Sequence, residues 1–136
     1  VPTTPLPEKI TAMLRRPNPA VMATLAKDGR PVTVATWYLL DDDGTVLLSL
    51  DAERARLDHM RRDPRVSLTA LDEDSWYTQV SVQGRVVSID DDVELAGADR
   101  ISTHYTGHPY ADRERPRVIA RVELDRWHAW GALRDD

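Results

Sequence analysis

No cysteine occurs in the 136 residues, which removes disulfides, thiolate metal sites and cysteine nucleophiles together. Nor is there a basic excess: the formal net charge is -5, so nothing favours a nucleic-acid backbone or an anionic membrane as partner. No apolar run approaches membrane-spanning length and no signal peptide opens the chain, which fits a cytoplasmic protein. Val1 in place of Met reads as a trimmed N-terminus. Lysine is scarce, Lys9 and Lys27 against sixteen arginines, a bias read as the codon usage of a GC-rich bacterium. The motifs of serine hydrolases, P-loop enzymes, dinucleotide-binding folds and zinc proteases are all missing. The length is that of one domain with a real core.

What is present is a chain of short elements. PLPEKITAMLRR (5–16) spaces Ile10, Met13 and Leu14 for a helix that Pro17 and Pro19 stop. AVMATLA (20–26) and PVTVATWYLL (31–40) read as strands around the Asp28-Gly29 hairpin turn. On the second strand Val32, Val34, Thr36 and Tyr38 share one face. TVLLSL (45–50) follows the DDDG turn. Asp51 is the expected N-cap of a short arginine-rich helix that Pro64 ends. RVSLTAL (65–71), WYTQVSVQGRVVSI (76–89) and RVIARVEL (117–124) complete the strands, with Gly84 marking a bulge. Residues 90–105 predict a further helix and 106–116 a loop. The pattern is α+β, mainly β: six antiparallel strands able to curl into a small barrel, in one domain over 1–136.

Five arginines, Arg54, Arg56, Arg61, Arg62 and Arg65, crowd the segment DAERARLDHMRRDPRV (51–66) of this acidic chain. Arg54–Asp58 and Asp58–Arg62 are spaced for i,i+4 pairs, and Arg61, Arg62 and Arg65 suit the negative end of the helix dipole. Arg54 and Arg56 fall in the first turns instead, where cations are unfavourable. Beside free N–H groups they form a candidate anion site, their forks matched to phosphate.

The order and spacing of DGRPVTVATW (28–37), DPRVSL (63–68) and QGRV (83–86), with the arginine helix between, carry a resemblance. From about Pro17 to Leu124 the chain resembles the pyridoxamine 5′-phosphate oxidase-like split β-barrel superfamily. It is most similar there to the B-type flavin/deazaflavin oxidoreductases of actinobacteria that use coenzyme F420. The resemblance implies a cytoplasmic homodimer with two cofactor sites at its interface, without catalytic side chains because the cofactor carries the hydride chemistry. It places the cofactor phosphate at Arg54 and Arg56, and the ring against Val34, Ala35, Thr36, Ser49 and Leu50. Trp76, Tyr77 and Gln79 would come from the neighbouring subunit. Relatives commonly carry a lysine and an asparagine-leucine pair where this chain has Arg56 and His59-Met60, and arginine also binds phosphate. The expected reaction is F420-dependent reduction of a small conjugated molecule, with an FMN-dependent oxidase or reductase as the alternative. A non-catalytic flavin- or haem-binding protein is the reading from another class, with His59, His104 or His128 as axial ligand.

Tyr77 and Tyr105 are candidate proton donors. His104, His108 and Asp112 lie four apart, but Pro109 breaks any helix through them, and no metal site is expected. Trp127 and Trp130 suit barrel or interface packing. Trp37 is read as core packing, although the resemblance places it near the ring pocket.

Overall fold

The computed structural model describes residues 2–133. The elements are α1 (Glu8–Leu14), β1 (Ala20–Leu25), β2 (Pro31–Thr36), β3 (Leu39–Leu40), β4 (Val46–Asp51), α2 (Ala55–Arg62), β5 (Arg65–Leu71), β6 (Gln79–Asp91), α3 (Ala96–Thr106) and β7 (Arg117–Trp130). All strand pairings are antiparallel, in the order β2-β1-β5-β6-β7-β4-β3.

The edge strands β2 and β3 are joined only by Trp37 and Tyr38. In a flat seven-stranded sheet its edges lie roughly 29 Å apart, yet three peptide units reach at most about 11 Å. The sheet must therefore roll until its edges almost meet, and among the described residues no ladder closes them. That is a split barrel, α+β and mainly β.

The strand count is seven rather than the expected six, because 31–40 is not one strand. Tyr38 leaves the ladder to bury its ring completely. Its hydroxyl accepts from Asn18 Nδ2 (2.9 Å), and its N–H donates to the Tyr105 hydroxyl (3.3 Å). Burial pushes the Tyr38 phenol up to about 12. Three further boundaries differ from expectation. Residues 76–78 form a turn before β6, with the Asp72 carboxylate accepting from the N–H groups of Asp74 (2.9 Å) and Ser75 (3.3 Å). β7 runs on to Trp130. The helix expected from residue 90 begins at Ala96, after Glu94 and Leu95 in left-handed conformation. Asp92 reaches past them to cap it, accepting from Gly97 and Ala98 N–H, each at 2.8 Å.

Alternation fills the barrel: Met22, Leu48, Leu50, Leu68, Val82 and Val122 point inward, joined by Ile10, Met13 and Leu14 of α1 and by Leu57 and Met60 of α2. Burying each large aliphatic side chain contributes about 1.5–3 kcal/mol, which anchors α2 despite its polar remainder. Neither i,i+4 pair of that helix forms among the described residues, and Arg65 instead grips Asp63 side-on through Nε and Nη2 (3.0 and 2.7 Å). No described helix is long and apolar enough to cross a membrane.

α3 is tied to the barrel by Asp41, which accepts from Arg100 of α3 (3.2 Å) and Arg121 of β7 (3.1 Å). The Arg100 bond first, then the Asp42 N–H and Arg121, lower its carboxyl from the ordinary 3.8 to about 2. Because the folded value is depressed, this stabilisation is full above the unfolded value and disappears as pH falls through about 2. Asp41→Asn should therefore lower the urea midpoint near neutrality, with the gap to the parent closing on acidification. A gap that is constant with pH would refute the assignment.

Candidate functional site

β4 alternates Leu48 and Leu50 inward with Ser49 between them pointing out, and Ser49 faces Arg117 at the start of β7. The loop after α3 brings Tyr110 to the same place. Arg117 donates from Nε to Ser49 Oγ (3.0 Å), from Nη2 to the Ser49 carbonyl (3.1 Å) and from Nη1 to the Tyr110 hydroxyl (3.1 Å). Its guanidinium carbon lies 4.5 Å from the Tyr110 ring centroid. α2 supplies Arg56. Together with Pro19, Ala20, Ala35, Thr36, Trp37, Ala98 and Ile101, these residues line a cleft of about 510 Å³.

Arg56 is half-buried, and its Nη1 is fully buried with no hydrogen-bond partner. Burial, then the charges of Arg54 and Arg117, depress its pKa. Among the described residues no carboxylate offsets them. Asp51, at the end of β4, is engaged by the Glu53 N–H (3.0 Å) and by Arg115 (3.4 Å). Other arginines are held by aspartates: Arg113 by Asp99, Arg121 by Asp41 and Asp43. An unsatisfied buried donor costs on the order of 1–3 kcal/mol, a cost that a hydrogen-bond acceptor in the cleft would offset.

α2 adds to the same field. Its N-cap is Arg54, in extended conformation with no side-chain cap, rather than the expected Asp51. Asp51 sits too far back because its carboxylate closes a turn onto Glu53. The first-turn N–H groups are thus uncapped by any acid.

Of the residues expected at the site, Ala35, Thr36, Ser49 and Arg56 line the cleft. Arg54 is exposed beside it. Val34 pairs with Met22 on the inward face of β2. Leu50 is in the core at 1% exposure, which leaves only its backbone available to a ligand; a β4 residue next to a cleft-facing serine must face inward. Trp76 and Tyr77 stand on the β5–β6 turn, 71% and 63% exposed, and Gln79 opens β6. None of these three lines the cleft.

Trp37 is not core. It is 41% exposed, lines the cleft, and stacks on Tyr105 with centroids 5.1 Å apart and planes 12° from parallel. Arg117, Tyr110 and the α3 residues Ala98 and Ile101 were missed by sequence reasoning. In RVIARVEL the polar positions Arg117 and Arg121 look alike, and only the fold gives one of them two aspartates and the other none.

Tyr105, one of the two candidate proton donors, has no free hydrogen: its hydroxyl donates to the Asn18 carbonyl (2.7 Å) and accepts from Tyr38 N–H. Burial also raises its pKa. Among the described residues no cluster of three or more histidine, aspartate or glutamate side chains could hold a metal. His59, half-buried, shares a hydrogen bond between Nδ1 and Thr24 Oγ1 (2.9 Å), and His104 and His128 lie edge-on to Tyr105 and Trp130. No histidine lines the cleft.

A family model described as pyridoxamine 5′-phosphate oxidase matches residues 6–131, almost the whole chain. The chain belongs to this family. Among solved structures, an F420 reductase superposes on this pyridoxamine 5′-phosphate oxidase family member with a TM-score of 0.81 at 27% identity, covering 90% of this chain and 98% of the other. A conserved hypothetical protein from Mycobacterium tuberculosis gives 0.74 at 28% identity, over 94% and 86% of the two chains. General stress protein 26 from Bacillus anthracis, at 16% identity and 0.67 over 90% and 92%, shares the fold.

Proposed function

We propose that this protein is a reductase that binds coenzyme F420 and delivers hydride to a small conjugated organic molecule. The observation that carries the reading is Arg56, a half-buried guanidinium with one nitrogen unpartnered, opening on a cleft large enough for a flavin-sized ligand. The likeness to an F420 reductase over nearly both whole chains supports deazaflavin rather than another phosphorylated ligand. The family itself keeps FMN as the second reading.

The donor set fits a phosphorylated cofactor: Arg56 would hold the phosphate, with Arg54 contributing field from the rim. Ala35, Thr36 and the backbone at Ser49 and Leu50 would flank the ring. Bound in reduced form, the cofactor supplies the hydride. The protein's part is position and exclusion of water, through Trp37, Ala98 and Ile101. Trp37 is held rigid by Tyr105, whose hydroxyl is fixed from two sides, so the wall keeps its shape when empty.

The functional unit is proposed to be a homodimer. Half-exposed residues on β1, β5 and β6 (Ala23, Ser67, Thr69 and Ser81) are small and uncharged, and exposed Val21 adjoins them. Trp76, Tyr77 and Gln79 would then serve the partner's cleft. Sedimentation should give twice the chain mass.

The test is a fluorescence titration of the purified protein with F420 and, in parallel, with FMN. Binding of F420 at micromolar concentration, at least about tenfold tighter than FMN, supports the reading. The reverse order moves the protein to FMN chemistry, and binding of neither ends the enzyme reading.

A further inference from the structure

We propose that Arg117 is a second anion ligand of the cleft, aimed by Ser49 and Tyr110, so that a phosphate is gripped from β7 as well as from α2. The inference deepens the proposed function and rests on it for the identity of the phosphorylated ligand alone.

A guanidinium has five N–H donors. Arg117 spends three, one from each nitrogen, on Ser49 Oγ, the Ser49 carbonyl and the Tyr110 hydroxyl. Those acceptors are neutral, so they fix the direction of the fork and leave its charge intact. Arg121, two β-strand repeats further along the same polar face, shows the alternative, with its Nη1 shared between Asp41 and Asp43 at 3.1 and 3.3 Å. The Tyr110 ring beneath the guanidinium adds a cation–π contact that holds it further.

Arg117 also depresses the pKa of Arg56 across the cleft. Two guanidinium groups that repel each other, one with a buried unpartnered nitrogen and the other without an ion pair among the described residues, are compatible once an anion sits between them. The two hydroxyls that accept from Arg117 keep their own hydrogens, and both residues line the same cleft. Each can donate to a phosphate oxygen. The ligand class is therefore a phosphate ester or diester gripped by two forks and two hydroxyls. Arg117 is a binding residue, and Ser49 and Tyr110 position it.

The test uses the full chain, with sodium pyrophosphate as the bare-anion probe in thermal melts against sodium chloride of equal ionic strength, alongside F420 and FMN titrations. Pyrophosphate should stabilise the parent and the surface control Arg61→Gln alike. Arg117→Gln should lose that stabilisation and weaken flavin binding about tenfold or more. Should that variant not fold, Tyr110→Phe decides: an unchanged melting temperature without anion, with affinity about threefold weaker, supports the clamp. A folded Arg117→Gln, or Tyr110→Phe, with parental response to pyrophosphate and flavin overturns it. A parent stabilised by pyrophosphate through Arg117 that binds neither flavin leaves the clamp standing and removes the F420 reading instead.

Discussion

Replacing Arg56 by alanine is expected to weaken F420 binding by about thirtyfold or more, because hydrogen bonds to a charged group are each worth about 1.5–3 kcal/mol. Stability of the unliganded protein should move the other way or not at all. In the free cleft the Arg56 Nη1 is buried without a partner and faces the positive charge of two other arginines. Removing it relieves a cost that an anion otherwise offsets. A thermal melt of the variant equal to or above the parent, combined with lost affinity, is the signature of a group kept for binding. Arg54→Ala should cost only a few-fold, since Arg54 is exposed and its field is screened by salt. If Arg56→Ala bound F420 as tightly as the parent, or proved markedly less stable, Arg56 would be an ordinary structural arginine. The phosphate assignment would then fail.

How much of this was legible in the sequence varies element by element, for physical reasons. The strands at 20–25 and 65–71 follow from alternation alone, and Pro64 does end α2 by holding Asp63 in extended conformation. Arg56 was singled out because a cation in a first turn opposes the helix dipole, a local conflict that the sequence displays. Arg117 was not, because its distinction is that among the described residues it forms no ion pair and is held by neutral acceptors, which depends on residues 68 positions away folding against it. The break at Trp37–Tyr38 was equally hidden. Tyr38 continues the alternation perfectly, and what removes it from the strand is a hydrogen bond to Asn18 and another to Tyr105, remote contacts that no pattern of period two encodes. Leu50 shows the converse error. The resemblance supplied a segment, whereas the pleat decides which of two neighbours, Ser49 or Leu50, presents a side chain to the cleft.

Gly84 tests the best-read feature of the fold. Its place in the middle of a strand argued for a bulge, and the β6–β7 register does slip between Gln83 and Gly84. A Cβ added there would lie 2.0 Å from the Glu123 carbonyl oxygen and 3.0 Å from the Leu124 Cα. Those are backbone atoms of the longest ladder in the barrel, and they cannot rotate away. Gly84→Ala should therefore lower stability by about 3 kcal/mol, roughly 10 °C in melting temperature for a chain of this size, at one fixed chain concentration. Gly29 is the control. It sits in the β1–β2 hairpin turn at φ +86 with open space around it, so alanine there pays only conformational strain of about 1 kcal/mol. Asparagine, which tolerates positive φ, should be nearly harmless at 29 and worse than alanine at 84. One glycine is needed for room and the other for its torsion angle. Equal effects of alanine at the two positions would mean that β6 and β7 can separate at the bulge without breaking the ladder that carries Arg117 into the cleft.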